Sequence, residues 1–206
     1  MLEPSSERMA VSNRFEARMD AESVSVPKDG EIENGDLAIV RKEAGGTLLA
    51  VIDALGHGPH AAAVARTAAV LIAESPFPDG PLPVIEAMHE RLRGTRGAAA
   101  LVCIVKAGHI EACSVGNVEM RTWRMRLPIV LTPGIVGSQL RRPKVFGGDL
   151  PDEDRIVFFS DGVSARFSLS DTRDLCPADA CRAVLKSHRR AHDDATVMVV
   201  DYRRGR

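Results

Sequence analysis

Residues 48–58 read LLAVIDALGHG, an apolar run that ends in a single carboxylate, Asp53, and then breaks into a glycine-containing turn. An apolar run of this length with glycines on both sides predicts a buried strand. A carboxylate at the tip of a buried strand is energetically costly unless a cation or several hydrogen-bond donors meet it there. The alternative is a solvated aspartate that caps the following helix, and this stretch by itself fits both interpretations.

A second β-prone run, DLAIVRK at residues 36–42, precedes TLLAVID at residues 47–53, and the short turn EAGG separates the two. Two β-prone runs joined by a short glycine-containing loop predict a β-hairpin. If Lys42 pairs with Thr47, antiparallel pairing places Asp36 directly opposite Asp53, with Cβ atoms about 4.5–5.5 Å apart. Two carboxylates at that separation repel each other unless one is protonated or a cation lies between them.

The length and composition are those of a globular protein, with 206 residues, 45% hydrophobic and 27% charged. We expect a single domain over residues 1–206, with residues 1 to about 10 and 203–206 frayed. The net charge of -1 gives no electrostatic reason to expect a nucleic acid or an anionic membrane as partner.

The expected compartment is the cytoplasm. The sequence shows neither a secretory leader nor an apolar run long enough to span a membrane. The four cysteines form no Cys-x-x-Cys pair, which favours reduced thiols.

The rest of the chain predicts three helices and several further strands. The predicted helices are residues 59–74, 84–93 and 178–190, and the predicted strands are residues 11–19, 97–106, 109–115, 118–126, 155–160 and 196–200. The three successive strands between residues 97 and 126 predict an antiparallel meander. Strands that follow one another in meanders, with helices grouped separately, predict an α+β fold.

Four aspartates fall at predicted strand ends: Asp36 begins a strand, Asp53 and Asp161 end strands, and Asp193 stands just before the last one. If these strands are antiparallel neighbours, all four side chains can converge on one rim of a sheet. Carboxylates without thiolates or several histidines suit Mg²⁺ or Mn²⁺. Two ions about 3.5–4 Å apart, bridged by Asp53, balance the four charges better than one ion. Separate turn and capping aspartates are the alternative.

Four short motifs occur in order along nearly the whole chain: Asn34-Gly35-Asp36, Asp53-Ala54-Leu55-Gly56-His57-Gly58, Ser160-Asp161-Gly162-Val163 and Asp193-Asp194-Ala195-Thr196. Each motif is weak, but their order is specific. The pattern resembles the metal-dependent serine/threonine protein phosphatases of the type 2C class, in the bacterial branch that acts on sigma-factor regulators. Within that branch it is most similar to the RsbX-type feedback phosphatases of the stressosome. The resemblance implies an antiparallel β-sandwich flanked by helices, in α-β-β-α layers.

The resemblance also implies a metal site. Asp53 is expected to bridge two divalent ions, Mn²⁺ or Mg²⁺, with Asp36 at one ion and Asp161 and Asp193 at the other. The main-chain carbonyl of Ala54 is expected to assist at one ion. Ala54 stands where glycine is common in the class, and since only a carbonyl is needed there, the substitution is tolerated if the backbone avoids positive φ.

Other residues have less defined expected roles. Asp194 is expected to support the metal ligands without binding an ion. The phosphate-binding arginine of the class has no clear match, and the candidates are Arg14, Arg18 and Arg41. His57 is a candidate general acid for the leaving seryl oxygen, with a plain turn histidine as the alternative. A zinc site at His57 and His60 is disfavoured because no third ligand is evident.

The sequence therefore predicts a metal-dependent phosphoprotein phosphatase with Asp53, Asp161, Asp193 and His57 as catalytic residues. The resemblance implies that its substrates are phosphorylated STAS-domain scaffold proteins of a stressosome, so that it gives negative feedback on general stress signalling. We expect a monomer with no nucleic-acid or membrane partner. The alternatives are a phosphatase of a phosphorylated anti-sigma-factor antagonist, and a non-catalytic scaffold-binding module with the same fold. The four retained aspartates argue against the second alternative.

Overall fold

The structure, a computed structural model, describes residues 18–205. In that range the elements are β1 (Arg18–Val26), β2 (Asp36–Glu43), β3 (Gly46–Ala54), α1 (Gly58–Glu74), α2 (Pro81–Arg91), β4 (Ala98–Lys106), β5 (His109–Val115), β6 (Glu119–Thr122), β7 (Leu131–Thr132), β8 (Val145–Asp149), β9 (Asp154–Phe159), a 3₁₀ turn (Leu169–Thr172), α3 (Pro177–His188) and β10 (Ala195–Arg203). None of the helices in this range is long and apolar enough to cross a membrane.

The strands form two sheets. One has four strands in the order β1-β10-β9-β6, and the other has six, in the order β2-β3-β4-β5-β7 with β8 also paired to β5. Neighbouring strands are antiparallel except for the short parallel pair of β5 and β7. The predicted α+β class is confirmed.

The two sheets pack face to face, and helices cover both outer faces. Side chains of both sheets, among them Leu49, Leu101, Phe158 and Met198, form one buried cluster between the sheets. A second cluster joins the six-stranded sheet to α1 and α2, and a third joins the four-stranded sheet to α3. This is the predicted α-β-β-α arrangement. The run at residues 48–52 is apolar throughout because β3 is buried on both faces.

The hairpin register agrees with the prediction. Lys42 pairs with Thr47, and Asp36 pairs with Asp53. The turn is shorter than predicted, because Glu43 also pairs with Gly46 and leaves a two-residue turn. The loop is shorter by one residue on each strand. All the other residues of the hairpin therefore keep their predicted partners, and Asp36 still pairs with Asp53.

The meander predicted over residues 97–126 is correct for its first two strands and wrong for the third. β4 and β5 pair with each other, but β6 lies in the four-stranded sheet and pairs with β9. The chain changes sheets at Gly116, whose φ of 89° is in the left-handed region. The crossing buries Met120 between the sheets, and β7 and β8 take the edge of β5 that β6 leaves open.

Three other predictions are corrected. The first strand was predicted over residues 11–19, and residues 11–17 lie outside the described residues. Strand β1 continues to Val26, beyond the predicted end, as a half-exposed edge strand with a weak apolar pattern. Helix α2 begins at Pro81, since a proline at the first helical position is compatible with the helix. Arg203, expected in a frayed tail, pairs with Arg18 as the last residue of β10. The expected fraying of residues 1–10 falls outside the described residues.

Candidate metal centre

The structure brings the four predicted aspartates together at one end of the sandwich. Asp36 is the first residue of β2 and pairs with Asp53 near the end of β3, both in the six-stranded sheet. Asp161 follows β9 and Asp193 precedes β10, both in the four-stranded sheet. The charges of the other three raise the pKa of Asp53, so all four carboxyl groups are close enough to interact. We call these four residues the carboxylate rim.

The carboxyl groups of the rim oppose one another's ionisation. Burial, followed by the charges of Asp36, Asp161 and Asp193, raises the pKa of Asp53 to about 9. The side-chain contact between Asp53 and Asp161 raises the pKa of Asp53 and lowers that of Asp161. Burial and Asp193 nevertheless keep the pKa of Asp161 above its ordinary value. Carboxyl groups that resist ionisation together are characteristic of a site that gains from a bound cation.

The rim residues are neighbours without forming a ready coordination shell. As the side chains lie in residues 18–205, no three histidine, cysteine, aspartate or glutamate residues already form a coordination shell for one metal ion. The donor set itself fits a hard divalent cation, because every candidate side-chain ligand is a carboxylate oxygen.

Asp36 is held by groups that the sequence analysis did not assign a role. Its side chain is buried, and burial raises its pKa to about 7 against the opposing effect of a hydrogen bond from Ser160. Ser160 Oγ donates to Asp36 Oδ2 at 2.5 Å and accepts from the main-chain N–H of Thr196 at 2.9 Å. The main-chain N–H of Asp36 donates to Asn34 Oδ1 at 2.8 Å. These bonds join β2, β9 and β10 at the rim.

Asn117 is a further rim residue that the motifs did not include. Its Nδ2 donates to Asp161 Oδ2 at 2.5 Å from the turn in which the chain crosses between the sheets. The sequence carried a weak signal for it, the Gly116-Asn117 pair at a strand end. The passage of the chain from one sheet to the other was not predicted, so the Gly116-Asn117 pair was interpreted as an ordinary turn.

Asp194 ties the loop of residues 27–35 to the last strand. Its Oδ1 accepts from the N–H of Lys28 at 2.8 Å, and its Oδ2 accepts from the N–H of Gly35 at 2.7 Å. Space around it is tight: a Cβ on Gly162 would lie 1.8 Å from the Asp194 carbonyl oxygen. Both carboxylate oxygens of Asp194 are engaged by main-chain donors, which fits the expected supporting role.

Ala54 adopts a conformation that any residue allows. It is the last residue of β3, and the non-glycine residues with positive φ in the described range are Ala107 and Glu153. Its N–H donates to the Gly35 carbonyl at 3.1 Å. The alanine in the DALGHG motif therefore requires no strained backbone.

The arginine candidates from the sequence do not lie at the rim. Arg41 lies five residues along β2 from Asp36, roughly 16 Å at the usual rise of a strand, and donates to the carbonyls of Ile72 and Ser75. Arg18 lies at the end of β1 opposite the rim, where it pairs with Arg203. Both candidates are therefore wrong, since strand direction places them away from the rim, and Arg14 is outside the described residues.

The two ring nitrogens of His57 lie next to charged side chains. His57 immediately precedes α1, and its Nδ1 lies 2.7 Å from Glu31 Oε1 while its Nε2 lies 2.9 Å from Lys28 Nζ. These contacts occupy both ring nitrogens, and no three ligating side chains in residues 18–205 could hold an ion together. The absence of a zinc site at His57 and His60 stays a prediction.

Ser160→Ala is expected to lower the free energy of unfolding by about 2–3 kcal/mol, because the buried N–H of Thr196 and the buried carboxyl of Asp36 each lose a partner. Urea unfolding in the presence of a chelator measures the effect. Ser187→Ala, at an exposed position on α3, is the control and is expected to change stability by less than about 0.5 kcal/mol. Equal stability of the two variants would contradict the bridging role of Ser160.

Comparison with known proteins gives structural neighbours but no sequence family. No protein-family model and no curated protein matches the chain. A chain solved in work on the bacterial stressosome, "a modular system that has been adapted to control secondary messenger signaling", is 28% identical with a TM-score of 0.82. That match covers 89% of this chain and 99% of the other.

Two further solved structures are similar at lower identity. RsbX in complex with magnesium is 17% identical with a TM-score of 0.74, and the match covers 91% of this chain and 99% of RsbX. The PP2C phosphatase domain of SpoIIE from Bacillus subtilis, solved with a fragment of its regulatory domain, is 18% identical with a TM-score of 0.74. That match covers 94% of this chain and 66% of the other. The resemblance drawn from the motifs is confirmed at the level of the fold.

Proposed function

We propose that this chain, which has the fold of the PP2C-type serine/threonine phosphatases, is a metal-dependent phosphatase of phosphoserine and phosphothreonine in proteins. The observation that carries the proposal is the carboxylate rim. Four aspartates from two sheets meet at one surface, and the charges of the other three raise the pKa of Asp53. A fold shared with phosphatases and a carboxylate cluster suited to divalent cations support the same chemistry.

We propose that the rim holds two Mn²⁺ or Mg²⁺ ions, with Asp53 between them, Asp36 on one side, and Asp161 and Asp193 on the other. When bound, such ions supply the Lewis acidity that activates water and balances the phosphoryl charge. The Ala54 carbonyl, at the end of β3, is the proposed main-chain ligand. Ser160 and Asn117 orient the carboxyl groups of Asp36 and Asp161 by direct hydrogen bonds. The magnesium in the RsbX structure supports a divalent ion.

The proposed clients are phosphorylated STAS-domain scaffold proteins of a stressosome, with dephosphorylation as negative feedback on general stress signalling. The support is the likeness to RsbX and to the chain from the stressosome work. A phosphorylated anti-sigma-factor antagonist is the second candidate, and the likeness to SpoIIE favours keeping it. We further propose that the protein acts as a single-domain monomer in the cytoplasm, without nucleic-acid or membrane partners.

Hydrolysis of para-nitrophenyl phosphate with and without Mn²⁺ tests the proposed activity. The expected result is turnover that depends on Mn²⁺ and is lost on chelation. Absence of turnover would favour the non-catalytic scaffold-binding module, and turnover without metal would contradict the proposed metal dependence. A panel of phosphorylated STAS-domain proteins and anti-sigma-factor antagonists, read by mass spectrometry as loss of phosphate at defined residues, then separates the two client classes.

A further inference from the structure

Three charged or titratable side chains form a hydrogen-bonded chain beside the carboxylate rim. Lys28 Nζ lies 2.9 Å from His57 Nε2, and His57 Nδ1 lies 2.7 Å from Glu31 Oε1. Lys28 and Glu31 belong to the loop before β2, while His57 stands at the start of α1. We call these residues the Lys28–His57–Glu31 cluster.

The hydrogen-bond chemistry of this cluster fixes the direction of each bond. An ammonium group has three donors and no acceptor, so His57 Nε2 must accept from Lys28 and carries no hydrogen. His57 Nδ1 then carries the ring hydrogen and donates it to Glu31, whose ionised carboxylate only accepts. In this arrangement His57 offers no hydrogen from Nε2 to a substrate. It links the carboxylate of Glu31 to the ammonium of Lys28.

The backbone around the cluster holds it in place. The N–H of Lys28 donates to Asp194 Oδ1 at 2.8 Å, and the N–H of Glu31 donates to the Lys28 carbonyl at 3.0 Å. Gly58 has a φ of 70°, and a Cβ there would lie 2.9 Å from Glu31 Oε2, so the carboxylate packs directly against a position that only glycine suits. The two hydrogen bonds restrain the main chain of Lys28.

Both ends of Lys28 are bonded to residues that neighbour rim residues along the chain. Its main chain is bonded to Asp194, which follows Asp193, and its ammonium is bonded to His57, four residues after Asp53. The ion pairs found within residues 18–205 include none to Lys28. After its bond to the imidazole, the ammonium keeps two further donors.

A phosphoryl group that approaches the rim carries negative charge toward a cluster of carboxylates, so a cation beside the rim lowers the cost of binding it. We propose that Lys28 contacts the phosphoryl group of the substrate and that the Glu31–His57 pair positions it. This inference rests on the proposed phosphatase function. It assigns His57 a positioning role in place of the general-acid role considered from the sequence.

The test compares Lys28→Ala, Glu31→Gln and the control Glu33→Gln in the same loop, where Glu33 pairs with Arg66 on the surface. With para-nitrophenyl phosphate and Mn²⁺, Lys28→Ala is expected to raise KM and the inhibition constant of inorganic phosphate about tenfold, with kcat within about threefold. Glu31→Gln is expected to raise both about threefold, because the cation stays but loses its support. Glu33→Gln is expected to match the wild type.

Two readouts do not depend on turnover. Calorimetric titration of the Mg²⁺-loaded protein with inorganic phosphate should show binding about tenfold weaker in Lys28→Ala than in the wild type. In the metal-free protein, ¹⁵N NMR of His57 should show the Nδ1–H tautomer, and Glu31→Gln should shift the ring toward Nε2–H.

Unchanged phosphate binding in Lys28→Ala, or an Nε2–H tautomer in the wild type, would overturn the inference. Absence of Mn²⁺-dependent turnover in the wild type would instead overturn the proposed function. Phosphate binding and the tautomer then still decide the role of Lys28.

Discussion

Asp53→Asn is expected to lower the Mn²⁺-dependent turnover of para-nitrophenyl phosphate by at least about a thousandfold, because a neutral amide cannot bridge two cations. Asparagine matches the size of aspartate, so the β2–β3 pairing opposite Asp36 should persist. The measurement is kcat at saturating Mn²⁺, together with circular dichroism to show that the variant is folded. The charges of the three other rim residues all act on the carboxyl group of Asp53.

Asp149→Asn is the matched control for this substitution. Asp149 is an exposed carboxylate at the end of β8, paired with His109. Its neutralisation should leave kcat within about twofold of the wild type, as is usual for surface changes away from a site. If Asp53→Asn kept a tenth or more of the wild-type kcat, the proposed bridging role of Asp53 would be wrong.

Metal-free protein is expected to lose stability as the pH rises, in contrast to proteins whose carboxylates are stabilised by salt bridges. The pKa of Asp53 is raised from 3.8 to about 9 and that of Asp36 from 3.8 to about 7. The folded state therefore binds more protons than the unfolded state between these values, and the free energy of unfolding falls as pH increases through that window. Below the pKa that these carboxyl groups have in the unfolded state, both states are protonated. The stabilising contribution of the raised pKa values is then present in full.

The expected loss of stability is already large if only part of these pKa shifts contributes. Two pKa units correspond to about 3 kcal/mol, which lowers Tm by about 10 °C for a chain of this length. Thermal unfolding in a chelator from about pH 5.5 to about pH 9 measures the change. Asp53→Asn should flatten the profile, and Mn²⁺ should restore the Tm of the wild type at high pH because it binds only the folded rim.

The controls for the pH prediction separate the rim from the rest of the protein. Asp149→Asn should follow the wild-type profile, since its carboxylate is exposed. A wild-type Tm that is flat or rises across the same range, without metal, would show that the rim carboxyl groups are not destabilised by burial and mutual repulsion.

The rim was predictable from sequence because its determinants are local. A short turn between two β-prone runs determines which residues of a hairpin face each other, and this placed Asp36 opposite Asp53. The strand ending at Phe159 and the strand beginning at Ala195 were recognisable as buried apolar runs, so the aspartates beside them could be assigned to an edge.

What the sequence did not predict depends on tertiary pairing. The crossing of β6 to the other sheet is decided by which edge is open, and that crossing brings Asn117 to Asp161. The bond from Ser160 to Asp36 joins residues of different sheets, for which no sequence spacing is diagnostic. The arginine candidates were wrong because the sequence does not show whether a residue lies at the end of its strand that is next to the rim or at the opposite end.

Anomalous diffraction from crystals grown with Mn²⁺ tests the central claim most directly. The account predicts two manganese peaks about 3.5–4 Å apart, with carboxylate oxygens of Asp53 between them and those of Asp36, Asp161 and Asp193 around them. A map in which manganese is absent from these side chains, from crystals of protein that hydrolyses phosphate esters, would contradict it.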